Sequence, residues 1–258
     1  MRKNYFISSS EELLKTYKIS RDKLQKKQCI IVSELPNPTV KNYLLNFTNC
    51  CYNRMIDIFD DTLFLLDNNR IQAACTISRA MIETFAFLTF TVNKVKNEIE
   101  QNNLNRENLI KIILKSINSS RFKVKEQEKV EKNQLDMSNY TFTQQAIHRM
   151  TYKEAYTINV MTPLDKFFKQ EIQNGKVSDL SDEAFMEQVY NLLSEWVHPS
   201  QISLFTHYVE ETHKIETSQG IIDIMDQAKW LSIQALSLIQ LLDEEYNKIE
   251  KLADTLPE

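Results

Sequence analysis

Apolar residues recur at helical spacing along most of the chain. Between Thr39 and Leu66 the apolar positions fall three or four residues apart, which predicts one long helix. The polar run Asp67-Asn68-Asn69 then predicts a short turn, followed by a second long helix from Arg70 to about Gln101. Because short connections join antiparallel neighbours, we expect these two helices to form the scaffold of a bundle.

The second of these helices is apolar around most of its circumference. Arg79 and Glu83 are the charged residues between Arg70 and Lys94. A helix that is hydrophobic on every side is either buried in a core or spans a membrane. Two charges near its middle, with several Thr, Ser and Gln residues, favour burial over insertion. We therefore predict a central core helix and no membrane association.

Start and stop signals place further helices along the chain. Ser8 and Ser9 each precede a glutamate by three residues, a capping-box arrangement that predicts a first helix ending near Gln28. Pro163 fits the first position of another helix and Gly175 the position just past its end. The other predicted helices are Asn105–Ile117, Asp182–Val197 capped by Ser181, Ile202–Glu211 and Ile221–Leu252, while residues 119–160 lack a clear helical pattern.

Glycine content limits the fold and the function. The chain has 258 residues and two glycines, Gly175 and Gly220, which leaves little material for hairpins and left-handed turns. Phosphate-binding loops of the P-loop and dinucleotide-binding kinds need several glycines and are excluded. The prediction is an all-α helical bundle that forms a single domain over residues 1–258, with an irregular excursion at 119–160.

Charge and cysteine usage restrict partners and location. A formal charge of −4 gives no global attraction to nucleic acid or to an anionic membrane. The N-terminal residues lack the apolar run of a signal peptide, so we expect a cytoplasmic protein. Cys29, Cys50, Cys51 and Cys75 show no Cys-x-x-Cys spacing and are expected to be reduced thiols inside helices.

A polar cluster lies at the end of the helix that precedes Pro199. Proline disfavours helical geometry at His198, which places this histidine at the C-terminal end of the helix. Glu195 and Ser194 lie three and four residues earlier, on the polar side with Asn191. The helix dipole and Glu195 both favour a protonated imidazole. His198 is thus either a general acid or phosphate-binding cation, or a cap for the last carbonyls of the helix.

Arg79 and Glu83 stand one helical turn apart in apolar surroundings. They form either a structural ion pair or one half of a polar pocket in which Arg79 faces Glu195 or His198 and binds an anionic group. Arg54, Asp57 and Asp61 either line the same place or face solvent. His198, His207 and His213 lack the spacing of a metal signature, so neither a metal nor a cofactor is expected.

Two stretches resemble a known group of proteins. Ser78-Arg-Ala-Met-Ile-Glu83 and Tyr190-x-x-Leu-Ser-Glu-x-x-His-Pro199 are similar to uncharacterised bacterial all-helical proteins related to the HEPN superfamily, the higher eukaryote and prokaryote nucleotide-binding domains. The resemblance covers mainly residues 39–101 and 182–200, so the predicted first helix, the middle excursion and the predicted last helix lie outside it. It implies a HEPN-like fold, pairing of two copies, and RNA or a nucleotide as partner.

Active members of that superfamily are metal-independent ribonucleases, often in toxin–antitoxin or phage-defence systems, with an arginine four to six residues before the histidine. Here none of the upstream residues Asn191, Leu192, Leu193 and Ser194 is an arginine, so the arginine has to come from another helix, as Arg79. The resemblance then implies an RNA-processing or stress effector with catalytic residues His198, Glu195 and Arg79. Glu83, Tyr190, Asn191 and Ser194 would line its binding site. The alternative is a non-catalytic binding or scaffold module whose Arg, Glu and His residues are structural.

Overall fold

A computed structural model describes residues 2–117, 160–177, 183–205 and 215–256. These residues are predominantly helical, which confirms the all-α prediction, and their extended pairing is limited to one antiparallel bridge between Val177 and Ala184. The helices are α1 (Arg2–Asp22), α2 (Val40–Asp67), α3 (Ile71–Glu100), α4 (Arg106–Ile117), α5 (Met161–Gln173), α6 (Phe185–Val197), α7 (Gln201–Phe205), α8 (Ile215–Leu236) and α9 (Ile239–Ala253). Val32–Glu34 forms a 3-10 turn between α1 and α2.

The turn between α2 and α3 follows the prediction to within one residue at each end. Asn69 takes a positive φ of 54°, a conformation that asparagine tolerates better than most side chains. The amide of Arg70 then donates to the carbonyl of Leu65 at 2.8 Å, which satisfies one of the last free carbonyls of α2. The polar turn residues therefore determine where this helical hairpin reverses.

The first helix differs from its prediction at both ends. α1 begins at Arg2, so Ser8 and Ser9 lie inside the helix and do not start it, and it ends at Asp22. The chain then leaves helical geometry before Gln28, because the backbone of Gln28 and of Ile30 is hydrogen-bonded to side chains of α2. Cys29 consequently lies in a loop, where a helix was expected.

The region around α5 and α6 follows the expected start and stop signals. α5 carries Pro163 in its first turn, and Gly175 just beyond its end has a φ of 74°. α6 begins at Phe185 after Ala184, which caps it without a side-chain hydrogen bond. The predicted cap Ser181 lies outside the described residues. The end of α6 at Val197, directly before His198 and Pro199, is confirmed.

The predicted final helix Ile221–Leu252 is two helices. α8 ends at Leu236 and α9 begins at Ile239, and the amides of Ser237 and Leu238 bond carbonyls three residues earlier, in 3-10 fashion. The side chain of Ser237 also hydrogen-bonds Tyr17 of α1. A tertiary contact thus accompanies a break that no proline or glycine marks. Gly220, expected before the helix, lies exposed within α8.

The chain divides into two compact units, each built from three separate stretches of sequence. Unit 1 contains Met1–Lys26, Tyr52–Phe85 and Phe167–Glu245. In it α8 packs against α6 and α1, and α6 packs against α7. A bidentate ion pair at 2.6–2.8 Å joins Arg21 of α1 to Asp60 of α2. The fully buried large side chains of this unit include Met55, Ile56, Phe59, Met81, Ile82 and Leu193.

Unit 2 contains Lys27–Cys51, Ala86–Lys166 and Tyr246–Glu258. A buried pair of hydroxyls, Thr91 of α3 and Ser116 of α4, lies 2.5 Å apart in its core. Its fully buried large side chains include Leu44, Leu88, Leu109, Ile113 and Leu164. The prediction of one domain over residues 1–258 stays a prediction, and the excursion at 119–160 lies almost entirely outside the described residues.

α3 is long and apolar enough to cross a membrane by length and composition alone. Of its most apolar stretch of 18 residues, 56% is buried inside the protein, and the core helices of soluble proteins are also mostly buried. One such helix is weak evidence for a membrane span, and the burial agrees with the expected core position.

Candidate functional site

Three side chains from two helices meet in unit 1. Nη2 of Arg79 on α3 donates to the hydroxyl of Tyr190 on α6 at 2.5 Å, and this hydroxyl donates to Oε1 of Glu83 at 3.1 Å. The same Nη2 lies 3.1 Å from Oε1 of Glu83, one turn further along α3. We call Arg79, Glu83 and Tyr190 the α3–α6 cluster. It connects residues 111 positions apart in the chain.

Tyr190 is the buried member of the α3–α6 cluster. Its ring lies 6.0 Å from that of Phe168 on α5, and the guanidinium carbon of Arg79 lies 4.6 Å from its centroid. Burial raises the pKa of Tyr190, and the net shift stays upward although the hydrogen bond from Arg79 lowers it. The phenol therefore keeps its proton at neutral pH and donates a hydrogen bond to the carboxylate of Glu83.

The polar contacts of Arg79 within the α3–α6 cluster are made by one nitrogen of its guanidinium, Nη2. The side chains of Arg79 and Glu83 are 20% and 30% exposed, so their ion pair is partly shielded from solvent. Nε of Arg79 is buried and has no hydrogen-bond acceptor among the described residues. Because the carboxylate of Glu83 partly neutralises the positive charge of Arg79, this arginine attracts a bound anion less strongly than an unpaired arginine would.

A carboxylate of α5 holds the start of α6 in place. Glu171 of α5 is buried, and its carboxylate accepts a hydrogen bond from the amide of Met186 in the first turn of α6 at 3.2 Å. The hydroxyl of Ser194 donates to the carbonyl of Tyr190 at 2.7 Å. Ser194 is therefore engaged with its own helix, while Asn191 is exposed.

The end of α6 is closed by serines. His198 is the C-cap residue in extended geometry, and its carbonyl accepts from the hydroxyl of Ser203 at 2.8 Å. The hydroxyl of Ser200 donates to the carbonyl of Glu195 at 2.6 Å. These hydroxyls therefore cap the C-terminal carbonyls of α6, a role for which the imidazole of His198 was one candidate. The His198 side chain is exposed, as is that of Glu195.

The structure brings together only part of the predicted constellation. Arg79 does reach the helix that carries His198, but at Tyr190, eight residues or about 12 Å of helix axis before the histidine. Among the described hydrogen bonds and ion pairs, neither Glu195 nor His198 bonds to Arg79 or to each other. The catalytic roles of these residues stay a prediction, whereas the contact between Arg79 and α6 is a finding.

A family model matches residues 46–239, three quarters of the chain. The chain belongs to the DUF5677 family. This family is described as one of unknown function. No curated protein and no solved structure matches the chain.

The DUF5677 match contains the whole α3–α6 cluster and His198, and it leaves out α1 and most of α9. The family membership agrees with the expectation of an uncharacterised helical family. A HEPN relationship and a bacterial origin remain proposals.

The remaining charged candidates have local partners or face solvent. Nε of Arg54 donates to the hydroxyl of Thr84 at 3.1 Å, and Asp57 pairs with Lys26. Asp61 is exposed. Where the structure describes this DUF5677 chain, no group of three or more His, Cys, Asp or Glu residues is arranged to hold a metal ion. His207 and His213 lie outside the described residues.

Sequence reasoning missed the role of Tyr190 as the bridge between the two helices. A signal was present, since Tyr190, Ser194 and His198 follow one another at intervals of four residues and so share one side of α6. The serines that cap α6 were also missed, although Ser200 directly follows the proline that ends the helix and Ser203 lies three residues further on.

Proposed function

We propose that this protein is a HEPN-like, non-catalytic helical binding module in which the α3–α6 cluster is structural. The observation that carries this proposal is that Arg79, Tyr190 and Glu83 contact one another. Because Arg79 is bonded to Tyr190 and paired with Glu83, its main effect is to hold α3 and α6 in register. Polar contacts that join two helices at fixed positions favour one packing arrangement of those helices over shifted ones.

The position of His198 supports the same proposal. General acid–base catalysis needs the catalytic group and the charge-stabilising group within reach of the same reacting atoms. His198 is exposed at the end of α6, about 12 Å along the axis from the residue that Arg79 contacts. This separation favours a role for His198 in contacting a partner.

The surface around His198 suggests where a partner binds. Val197, Ile202 and Leu204 expose 37%, 37% and 58% of their area next to the polar residues Glu195 and His198. Apolar side chains beside polar ones are typical of protein interaction surfaces. We propose that a second copy of this chain binds here, in the cytoplasm, since the resemblance implies a paired fold.

The test of self-association compares the wild-type protein with Leu204→Glu by analytical ultracentrifugation over a range of concentrations. We expect a concentration-dependent dimer for the wild type and a monomer for Leu204→Glu, because a buried unpaired carboxylate is costly. Phe64→Glu is the matched control, since Phe64 is exposed and lies on α2. A wild-type monomer at every concentration would contradict this part of the proposal.

A second candidate is a metal-independent ribonuclease that acts as a defence or stress effector, with RNA as substrate. One observation favours it: α6 lacks an arginine of its own, and Arg79 reaches this helix from α3. In this candidate His198 is the acid or base, Glu195 orients it, and Arg79 stabilises phosphate charge.

One experiment separates the two candidates. Purified wild-type and His198→Ala proteins are incubated with RNA, and the thermal melts of both are recorded. The binding-module proposal expects the same background cleavage and the same melting temperature in both, because the histidine is exposed. Cleavage that disappears in His198→Ala without a change in the melt would establish the ribonuclease instead.

A further inference from the structure

Two cysteines of unit 2 lie side by side at the surface. Sγ of Cys50, on α2, donates to Sγ of Cys29, in the loop after α1, at 3.6 Å. Both residues are exposed. Twenty-one positions separate them in the chain, so their proximity is a product of the fold.

Hydrogen bonds on either side of Cys29 fix this proximity. The amide of Ile30 donates to Oδ1 of Asn46 at 2.8 Å, and Nδ2 of Asn49 donates to the carbonyl of Gln28 at 2.7 Å. The residues before and after Cys29 are thus both attached to α2, close to Cys50 along the helix. The loop is held with its thiol against the helix.

Contacts from α9 stabilise the same attachment of the Cys29 loop to α2. The hydroxyl of Tyr246 on α9 donates to Oδ1 of Asn49 at 3.0 Å, and Nζ of Lys27 lies 4.2 Å from the centre of the Tyr246 ring. Asn49 is therefore oriented from one side by α9 while it binds the loop on the other. The approach of the two thiols rests on several interactions.

We propose that Cys29 and Cys50 form a dithiol modification site that a low-molecular-weight disulfide, such as oxidised glutathione, converts to an intrachain disulfide. A disulfide needs its sulfur atoms about 2.05 Å apart, so the two Sγ atoms must approach by roughly 1.5 Å. Rotation about the side-chain χ1 bonds and a small shift of the exposed loop residues supply that movement.

The reaction balances as two thiol–disulfide exchanges. The thiolate of Cys29 attacks one sulfur of the oxidised glutathione, which forms a mixed disulfide and releases one glutathione thiolate. Cys50 then loses its proton and attacks Sγ of Cys29, which forms the intrachain disulfide and releases the second glutathione. The protein loses two electrons and two protons, and one glutathione disulfide becomes two thiols.

The order of the two steps follows from the environment of Cys50. Cys50 is exposed as a residue, but partial burial of its thiol and the hydrogen bond to Cys29 raise its pKa to about 11, so this thiol keeps its proton at neutral pH. Cys29 is therefore the attacking sulfur and Cys50 the resolving sulfur.

The other cysteines provide internal references. Cys75 is buried in unit 1, where burial raises its pKa to about 11 and its thiol donates to the carbonyl of Ala228. Cys51 follows Cys50 on α2 but projects about 100° away around the helix. Neither is expected to form a disulfide with Cys29.

The first test uses the full-length Cys51→Ser protein, so that Cys50 is the only thiol in its tryptic peptide. The reduced protein is treated with oxidised glutathione, free thiols are alkylated, and peptides are analysed by mass spectrometry without reduction. We expect residues 28–41 linked to residues 42–54, with two hydrogen masses lost, and Cys75 alkylated. Cys29→Ser in the same background is expected to lose this link.

Three results would overturn the proposal. These are a stable glutathione adduct on Cys29 with Cys50 alkylated, a link between two chains seen as a covalent dimer, and no modification at either cysteine while the protein remains folded. An Asn46→Ala variant tests the positioning, because it removes the anchor of Ile30. We expect a several-fold longer lifetime of the mixed disulfide, and an unchanged lifetime would contradict the role of the anchored loop.

Discussion

Tyr190 accepts a hydrogen bond from Arg79 and donates one to Glu83, so that one phenol joins both charged residues of α3 to α6. The two charges that interrupt the apolar face of α3 thus find their partner on a helix more than one hundred residues later. Burial of this contact fixes the rotation of α6 about its axis, and with it the face on which Glu195 and His198 stand.

Removal of the phenol hydroxyl tests this contact. Tyr190→Phe is expected to lower the free energy of unfolding by about 1 to 2 kcal/mol, because it leaves Arg79 without one acceptor and Glu83 without one donor. Urea denaturation measures the change. In an Arg79→Met background the same substitution is expected to cost less, and equal costs in both backgrounds would show that the two residues do not interact.

A pair of leucines, Leu193 on α6 and Leu204 on α7, tests which side chains of this segment lie in the core. Leu193 is fully buried, whereas Leu204 is 58% exposed. Leu193→Ala is expected to destabilise the protein by about 2 to 5 kcal/mol, and Leu204→Ala by less than about 0.5 kcal/mol. Both values come from urea denaturation at a concentration where the protein is monomeric. Similar losses in the two variants would contradict the orientation of this segment.

Glu171 gives unit 1 a predictable dependence on pH. Burial raises the pKa of Glu171 above 4.5, against the smaller opposite effects of the Met186 amide and Lys176. The folded protein therefore binds more protons at this site than the unfolded chain, so its contribution to stability falls as pH rises from 4.5 through the folded pKa. Glu171→Gln is expected to remove this fall.

The measurement for Glu171 is urea denaturation at a series of pH values across that window. The difference in unfolding free energy between Glu171→Gln and the wild type is expected to increase with pH in favour of the variant. Glu183 offers a control at an exposed carboxylate, as Glu183→Gln. A difference that stays constant or decreases would show that the Glu171 pKa is not raised.

The hydroxyls of Thr91 and Ser116 provide the corresponding test in unit 2. They are buried, 2.5 Å apart, and the Thr91 hydroxyl also bonds the carbonyl of Phe87 at 2.8 Å. Ser116→Ala is expected to cost about 0.5 to 1.5 kcal/mol, because it removes one buried hydrogen bond while the Thr91 hydroxyl keeps the carbonyl of Phe87 as a partner. Thr91→Val with Ser116→Ala is expected to cost less than the sum of the single changes, and strict additivity would contradict the pairing.

The sequence predicts those parts of the fold that local chemistry decides. The α2–α3 hairpin is correct to within a residue because Asp67-Asn68-Asn69 marks its turn, and the end of α6 is correct because Pro199 stops it. Two predictions were wrong: the end of the first helix near Gln28, and one continuous final helix. The true boundaries coincide with contacts to Asn46, Asn49 and Tyr17, which lie far away in sequence.

In the candidate site, too, the sequence predicts what local spacing decides and misses what helix packing decides. The spacing of Arg79 and Glu83 correctly predicts their ion pair, because one helical turn fixes it. The partner of Arg79 on α6 was expected at Glu195 or His198, and the structure places it at Tyr190. Which of these residues Arg79 meets depends on how far α6 is shifted along α3 when the two helices pack. The periodicity of a single helix does not contain that information.

The two units have a consequence for how the protein is made. Unit 2 takes its parts from residues 27–51, 86–166 and 246–258, whereas unit 1 needs nothing after residue 245. During synthesis, unit 1 can therefore gain all of its segments while unit 2 still lacks its last one. Contacts between such distant segments form slowly. We expect the growing chain to expose apolar residues of Lys27–Cys51 until residues 246–258 have been synthesised, a period in which a chaperone would protect it from aggregation.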